Sequence, residues 1–197
     1  MRETIQEKSA RAAFTREEQR WLLELARAAI GAATEGAPLG LDSWGKRLPS
    51  EQVSHPGAAF VSLHHCGALR GCVGCLQAQK PLYLMVADCA IAAARHDPRF
   101  APVAPAEIPE LKIEISVLSA LFRLAPEEVK PGEHGLYITE GFRHGALLPQ
   151  VAAERGWDRV RFLEETCAKA GLPRDAWQRG AQIEAFTALV FSDDEPA

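Results

Sequence analysis

The stretch ALRGCVGC, residues 68–75, places an arginine, two glycines and two cysteines close together. Arg70 and Cys72 are two positions apart, so in a regular strand their side chains share one face. A guanidinium beside a thiol favours the thiolate and can also hold a carboxylate or phosphate. Gly71 and Gly74 lack side chains, so a ligand or another backbone can approach closely. These residues predict a catalytic Cys72 with Arg70, Gly71 and Gly74 in substrate binding.

Other parts of the chain offer partners for this thiol. The segment LKIEISVLS, residues 111–119, alternates strictly between apolar and polar residues, which is typical of a strand with one buried face. Glu114 lies on its polar side and is a second catalytic candidate. His144 or His65 could act as a general base. We assign His144 to substrate binding as well.

A structural interpretation competes with the functional one. Free cysteine is usually a small buried apolar residue, and Cys72 fits that role. Arg70 would then form a structural ion pair, with Glu114 as the expected partner. An exposed Cys72 sulfur in a concave pocket favours an enzyme. A buried Cys72 beneath a flat apolar patch favours a binding module.

A metal site is the third interpretation of this stretch. Cys72 and Cys75 form a CxxC pair, with His64, His65 and Cys66 just upstream. Residues three apart on a straight strand face opposite sides, so the two thiols cannot share one ion. Downstream there is no second CxxC and no HxxxH, and the CxxxCxxC motif of radical enzymes is also absent. The sequence therefore predicts no metal.

The composition limits the class of protein. The chain has 197 residues, of which 47% are hydrophobic, enough for one sizeable domain. A net charge of -4 without a run of lysine and arginine argues against nucleic-acid binding. No apolar run is long enough to cross a bilayer, and the polar start lacks the apolar middle of a signal peptide. Five cysteines, an odd number, fit a reducing compartment, so we expect a cytoplasmic protein.

The secondary-structure pattern predicts an α+β fold. A helix with a capping box at Thr15 and Glu18 begins the ordered part, and residues 36–58 lack any regular element. Hairpins are predicted at residues 59–76 and 135–148, and a last single strand at 183–192. The further predicted elements are a helix from Pro81 to Asp97, the strand 111–119, and two helices after Pro149. Because hairpins join most strands, we expect a mainly antiparallel sheet flanked by helices.

Six sequence blocks carry a resemblance to a known family, in this order: GALRGCVG, AIAAARHDPRF, EISVLS, GEHGLYI, LLPQVAAERGWD and FLEETCAKAGLP. The chain resembles the AMMECR-type domain family, and within it the bacterial and archaeal proteins called AmmeMemoRadiSam system protein A. The resemblance implies a single domain over residues 14–192, between a loose tail at 1–13 and a C-terminal tail at 193–197. It also implies a smaller second lobe.

The resemblance carries functional expectations as well. It implies a signature at the Leu-Arg-Gly-Cys-Val-Gly motif, and an association with a Memo-type protein and a radical S-adenosylmethionine protein. It assigns no activity and no cofactor. The family pattern has a small hydroxyl or similar residue where this chain has Cys75. We expect an enzyme or enzyme subunit that handles a small anionic metabolite, or a non-catalytic binding module that acts with those two partners.

Overall fold

A computed structural model describes residues 14–193. The tail predicted at 1–13, and residues 194–197 of the tail predicted at 193–197, lie outside these described residues. The chain divides into two compact units. One unit contains the described residues up to Leu118 together with those from Leu189 onward, and the other is Ser119–Ala188. The smaller second unit agrees with the expected second lobe.

Along the described chain, pairs and longer runs of strands are interspersed with helices. The helices are α1 (Arg16–Glu35), α2 (Leu41–Gly45), α3 (Leu82–Arg95), α4 (Pro149–Glu154) and α5 (Arg159–Lys169). The strands are β1 (Ala58–His65), β2 (Ala68–Cys75), β3 (Lys112–Leu118), β4 (Phe122–Arg123), β5 (Gly135–Glu140), β6 (Arg143–Leu147), β7 (Gln182–Phe186) and β8 (Ala188–Ser192). Of the helices in the described part, none has both the length and the apolar character needed to span a bilayer. The α+β prediction is confirmed.

Helix α1 begins at the capping box that the sequence predicts. The Glu18 amide donates to the Thr15 hydroxyl over 3.3 Å, and the Thr15 amide donates to the Glu18 carboxylate over 2.6 Å. These two bonds satisfy amides that have no partner within the helix. Leu22, Leu25 and Ile30 are fully buried in the core of the first unit. The apolar stripe of α1 therefore packs inward.

The first unit contains a four-stranded sheet in the order β2-β1-β3-β8. The β1–β2 hairpin turns at Cys66 and Gly67, whose φ angles are 51° and 78°. Two successive residues with positive φ form the turn that matches the twist of paired strands. Strand β3 lies inside the sheet, and its Ile113 and Ile115 have no exposed surface. The prediction of a central, half-buried strand at this position is confirmed.

Two details of the fold differ from expectation. Residues 36–58 do contain regular structure, namely α2 and a 3-10 helix at Gln52–Ser54. The single strand expected at 183–192 is two strands, β7 and β8, which belong to different sheets. The break falls at Thr187, whose amide bonds to the Ser119 hydroxyl and whose carbonyl accepts from the Ser119 amide. These bonds replace ladder pairing at the point where one strand ends.

The second unit has its own sheet and its own core. Its strand order is β4-β7-β5-β6, and each recorded pair is antiparallel. Helix α5 packs against this sheet and buries Phe162, Leu163 and Cys167 completely. The hairpin predicted at 135–148 is present as β5 and β6.

Substitution of Gly71 tests how closely β2 packs against α3. A Cβ atom at Gly71 would lie 2.2 Å from the carbonyl oxygen of Ala93. Gly71→Ala should therefore cost about 1–3 kcal/mol of unfolding free energy, because backbone must move. Gly31→Ala is the control, since no atom lies within 4 Å of its added Cβ, and it should stabilise α1 by about 0.5–1 kcal/mol. Urea unfolding measures both, and equal midpoints for Gly71→Ala and wild type would contradict the packing.

Candidate functional site

The signature motif lies on β2, with Cys72 on the face of the first sheet that points away from the helices. Strand β1 pairs Ser62 with Cys72 on one side and with Glu114 of β3 on the other. The neighbouring β1 residues Val61 and Leu63 are fully buried in the helix-side core, so Ser62 points the other way. Cys72, Ser62 and Glu114 therefore form one row across the face opposite the helix-side core, which we call the Cys72 row.

The thiol has a hydroxyl neighbour within this row. Ser62 Oγ donates to Cys72 Sγ over 3.3 Å. Ser62 is only 8% exposed, whereas Cys72 is half-buried. Cys72 therefore keeps part of its surface in solvent, and its sulfur accepts from a buried hydroxyl.

The main chain of Cys72 is bound at the edge of the sheet. Strand β2 is an edge strand, and edge strands leave alternate amides and carbonyls without a strand partner. The Cys72 amide donates to Asp97 Oδ2 over 2.8 Å, and Arg99 Nη2 donates to the Cys72 carbonyl over 3.1 Å. Both groups come from the segment that follows α3. This segment covers the edge at the residue that carries the thiol.

Asp97 and Arg99 also bind each other. Arg99 Nε and Nη2 donate to the two Asp97 oxygens over 2.9 and 2.7 Å, a two-point contact. The Asp97 side chain is 2% exposed, and its bonds from Arg99 and from the Cys72 amide hold its pKa well below the ordinary value. Asp97 in turn raises the pKa of Arg99, and the nearby Cys72 contributes in the same direction. The Arg99 guanidinium is thus a permanent cation beside Cys72.

Arg70 is engaged elsewhere, in a contact with the segment after Asp97. Its Nε and Nη2 donate to the two Glu107 oxygens over 2.8 and 3.1 Å. Its remaining bonds go to the carbonyls of Ala101 and Pro102. Arg70 is the main reason that the pKa of Glu107 falls to about 2, and the Ala104 amide adds to the effect. Arg70 therefore anchors a loop and has little capacity left for a ligand.

The expected partner of Arg70 was Glu114, and the structure shows Glu107 in its place. Strand β1 lies between β2 and β3, so the backbones of Arg70 and Glu114 are separated by two strand spacings, about 10 Å. The ladder also shifts register between Leu63 and His64, which leaves Arg70 as an extra residue opposite them. A bulge of this kind breaks the simple alternation, so the shared face predicted for Arg70 and Cys72 does not follow from spacing alone.

Other parts of the protein occupy the space beside the two glycines of the motif. Gly71 faces the Ala93 carbonyl of α3, so another backbone approaches there. The ring of Phe60 covers Gly74, with ring atoms 2.1–2.4 Å from the position of an added Cβ. Close ligand approach at these two positions is therefore blocked on the side where a side chain would lie.

The two candidate histidines belong to other elements of the fold. His144 is exposed on β6 of the second unit, opposite Thr139, with its ring 6.0 Å from that of Tyr137. His65 ends β1, and its Nε2 lies 3.0 Å from a Glu110 carboxylate oxygen. Neither histidine is a member of the row.

The remaining cysteines also occupy distinct environments. Cys75 packs against the first core, on the face opposite to Cys72, so the two thiols of the CxxC pair do not converge. Cys89 and Cys167 are buried, and burial raises the pKa of Cys89 to about 12. Neither of these two thiols is poised for reaction.

The arrangement defines a thiol site on a sheet. Cys72 has a hydroxyl on one side and a guanidinium on the other, and Glu114 lies at the far end of the row. Within the described residues, no ion pair or hydrogen bond engages the Glu114 carboxylate. Such a set can bind an anionic group beside a nucleophilic sulfur. Sequence reasoning had missed Ser62, Asp97 and Arg99 as parts of this site.

Comparisons with known proteins agree on one family. The AMMECR1 family model matches residues 23–191. A protein of Methanopyrus kandleri is 39% identical over 198 aligned positions, covering 93% of this chain and 92% of that protein. A protein of Methanosarcina acetivorans is 38% identical, with coverage of 93% and 95%. The crystal structure of an uncharacterized protein from Pyrococcus horikoshii superposes with a TM-score of 0.81 at 38% identity, covering 93% and 95% of the two chains.

The fold and the site thus define an α+β protein with two sheets and the signature motif on an edge strand. The chain belongs to the AMMECR1 family.

Substitution of Arg70 tests its structural role. Arg70→Gln removes the two-point contact to Glu107 and should cost about 1.5–3 kcal/mol at neutral pH. Because the folded pKa of Glu107 is about 2, against an ordinary 4.5, its stabilisation is full above pH 4.5 and is lost as pH falls towards 2. The variant should therefore lose less stability than wild type over that pH range.

Arg143→Gln is the matched control, since Arg143 bonds the Gly171 carbonyl and, among residues 14–193, no carboxylate. Its acid dependence should follow wild type in urea unfolding between pH 5 and 2. An Arg70→Gln curve with the wild-type slope would show that Arg70 does not hold Glu107 in solution.

Proposed function

We propose that this AMMECR1-family protein is an enzyme, or an enzyme subunit, that handles a small anionic metabolite beside Cys72. The supporting observation is the half-buried Cys72 of the Leu-Arg-Gly-Cys-Val-Gly motif, whose thiol accepts a hydrogen bond from the Ser62 hydroxyl and whose carbonyl accepts one from the Arg99 guanidinium. The Cys72 sulfur acts as the nucleophile. Arg99 binds the acid group of the ligand, the role that spacing had suggested for Arg70.

Charge and exposure support Arg99 as the binding cation. The Arg99 side chain is 53% exposed, whereas that of Arg70 is 17% exposed and saturated by loop contacts. Asp97 occupies only one edge of the Arg99 guanidinium, and the group has five N–H donors. A carboxylate or phosphate can therefore approach without displacing Asp97.

The length of the row limits the size of the ligand. Cys72 and Glu114 are separated by β1, so their backbones lie roughly 10 Å apart. A ligand of a few carbon atoms can contact the thiol at one end and the Glu114 carboxylate at the other. Glu114 then accepts a hydrogen bond or a proton from the ligand. The five free cysteines fit the reducing cytoplasm, where we place this activity.

The alternative is a non-catalytic binding module of the AmmeMemoRadiSam type, acting with a Memo-type protein and a radical S-adenosylmethionine protein. This alternative requires no reactive thiol. The two functions therefore differ in the chemistry of Cys72 in the folded protein, and no partner is needed to separate them.

Alkylation with two reagents of different charge tests the proposal. Iodoacetate is anionic and iodoacetamide is neutral, and peptide mass mapping reports Cys72 separately from the exposed Cys66. We expect Arg99→Gln to lower the iodoacetate-to-iodoacetamide rate ratio at Cys72 about fivefold. That factor corresponds to about 1 kcal/mol, the attraction between unit charges about 4 Å apart in water.

Arg95→Gln is the matched control, because it removes the same charge from the end of α3 without touching Cys72. It should leave the ratio unchanged, and thermal unfolding checks that both variants are folded. If Cys72 reacts only after unfolding, or if its ratio is the same in all three proteins, the anion site is wrong and the binding module is favoured.

A further inference from the structure

Three side chains of different metal-binding type converge where the β1–β2 turn meets the 3-10 helix at Pro105–Glu110. His65 Nε2 lies 3.0 Å from Glu110 Oε2, and Cys66 Sγ lies 3.9 Å from His65 Nε2. All three ligand atoms lie within 4.8 Å of one another. The group is separate from the Cys72 row, since His65 and Cys66 belong to the hairpin end.

The positions of these residues are fixed by the surrounding structure. Cys66 has φ of 51° in the tight turn, which directs its side chain differently from that of a strand residue. The 3-10 helix is held at Glu107 by Arg70. Arg27 of α1 holds its end by donating to the carbonyls of Ile108 and Leu111 over 2.8 Å each. Glu110 is therefore presented to the turn by a helix that is tied down on both sides.

We propose that His65, Cys66 and Glu110 bind a zinc ion. Tetrahedral zinc, with bonds of about 2.0–2.3 Å, spaces its ligand atoms about 3.3–3.6 Å apart. The separations of 3.0 and 3.9 Å lie on either side of those values and the third is at most 4.8 Å, so the side chains must rotate to bring the three atoms onto one ion. An imidazole, a thiolate and a carboxylate together suit the borderline-soft zinc ion better than magnesium or calcium, which prefer oxygen ligands.

The site revises the expectation of no metal in one respect. That expectation covered the whole chain, with His65 and Cys66 among the residues considered, and it rested on Cys72 and Cys75, whose side chains lie on opposite faces of β2. The proposed site uses neither of them. Its three protein ligands leave the fourth position to water, because Cys66 and Glu110 are both exposed. Bound zinc would join the hairpin turn to the 3-10 helix, beside the Arg70–Glu107 contact.

Cobalt substitution tests the site in the full-length protein, with the metal alone as the probe. Wild type should bind Co²⁺ with the near-ultraviolet charge-transfer band of a cobalt–thiolate bond, and Zn²⁺ should displace it. Cys66→Ser should lose this band, and its zinc affinity should fall at least about 100-fold, since even outer-shell changes cost about 10- to 100-fold. Glu110→Gln should weaken zinc binding by about tenfold or more.

His64→Gln and Cys75→Ser are the matched controls, because each removes the same type of side chain without touching the group: His64 precedes His65 in β1, and Cys75 lies at the opposite end of the hairpin. Both should retain the band and the wild-type affinity. Zinc should also protect Cys66, and not Cys72, from iodoacetamide. A wild-type cobalt complex without the thiolate band, or a Cys66→Ser protein that binds zinc as tightly as wild type, would leave only a surface hydrogen bond between His65 and Glu110.

Discussion

The bond from the Cys72 amide to the buried Asp97 carboxylate is the constraint on which the candidate site depends. A carboxylate that is almost fully buried is stable only with charged and hydrogen-bonded partners, and here they are Arg99 and the edge of β2. The same contact satisfies an edge amide that no strand pairs. It therefore fixes the cation beside the thiol and protects the sheet edge at the motif.

This constraint separates the roles of the two arginines. Arg70 lies in the motif, yet its N–H groups donate to Glu107 and to two carbonyls. These bonds fix the position of the 3-10 helix. Arg99 lies outside the motif and keeps half of its side chain in solvent beside Cys72. One arginine thus builds the loop, and the other provides charge to the site. The 3-10 helix that Arg70 holds also carries Glu110, so the contact of Arg70 with Glu107 also helps to position one of the proposed zinc ligands.

The sequence predicted the features that depend on neighbouring residues. The alternation in residues 111–119 placed the buried face of β3, and the Thr15–Glu18 capping box placed the start of α1. The hydrogen bond from the Cys72 amide to Asp97 was missed because it joins residues 25 positions apart. Locally, the Asp-Pro step indicates only the end of a helix. The break at Thr187 has no glycine or proline to mark it, so β7 and β8 read as one strand.

Hydrogen exchange of the Cys72 amide, followed by NMR, tests the central contact most directly. The account predicts that this amide exchanges as slowly as amides inside the sheet, such as that of Val61, although it lies on an edge strand. It further predicts that the protection at Cys72 falls in Asp97→Ala while Val61 remains protected. A Cys72 amide that exchanges in wild type as fast as residues of exposed turns would contradict the account.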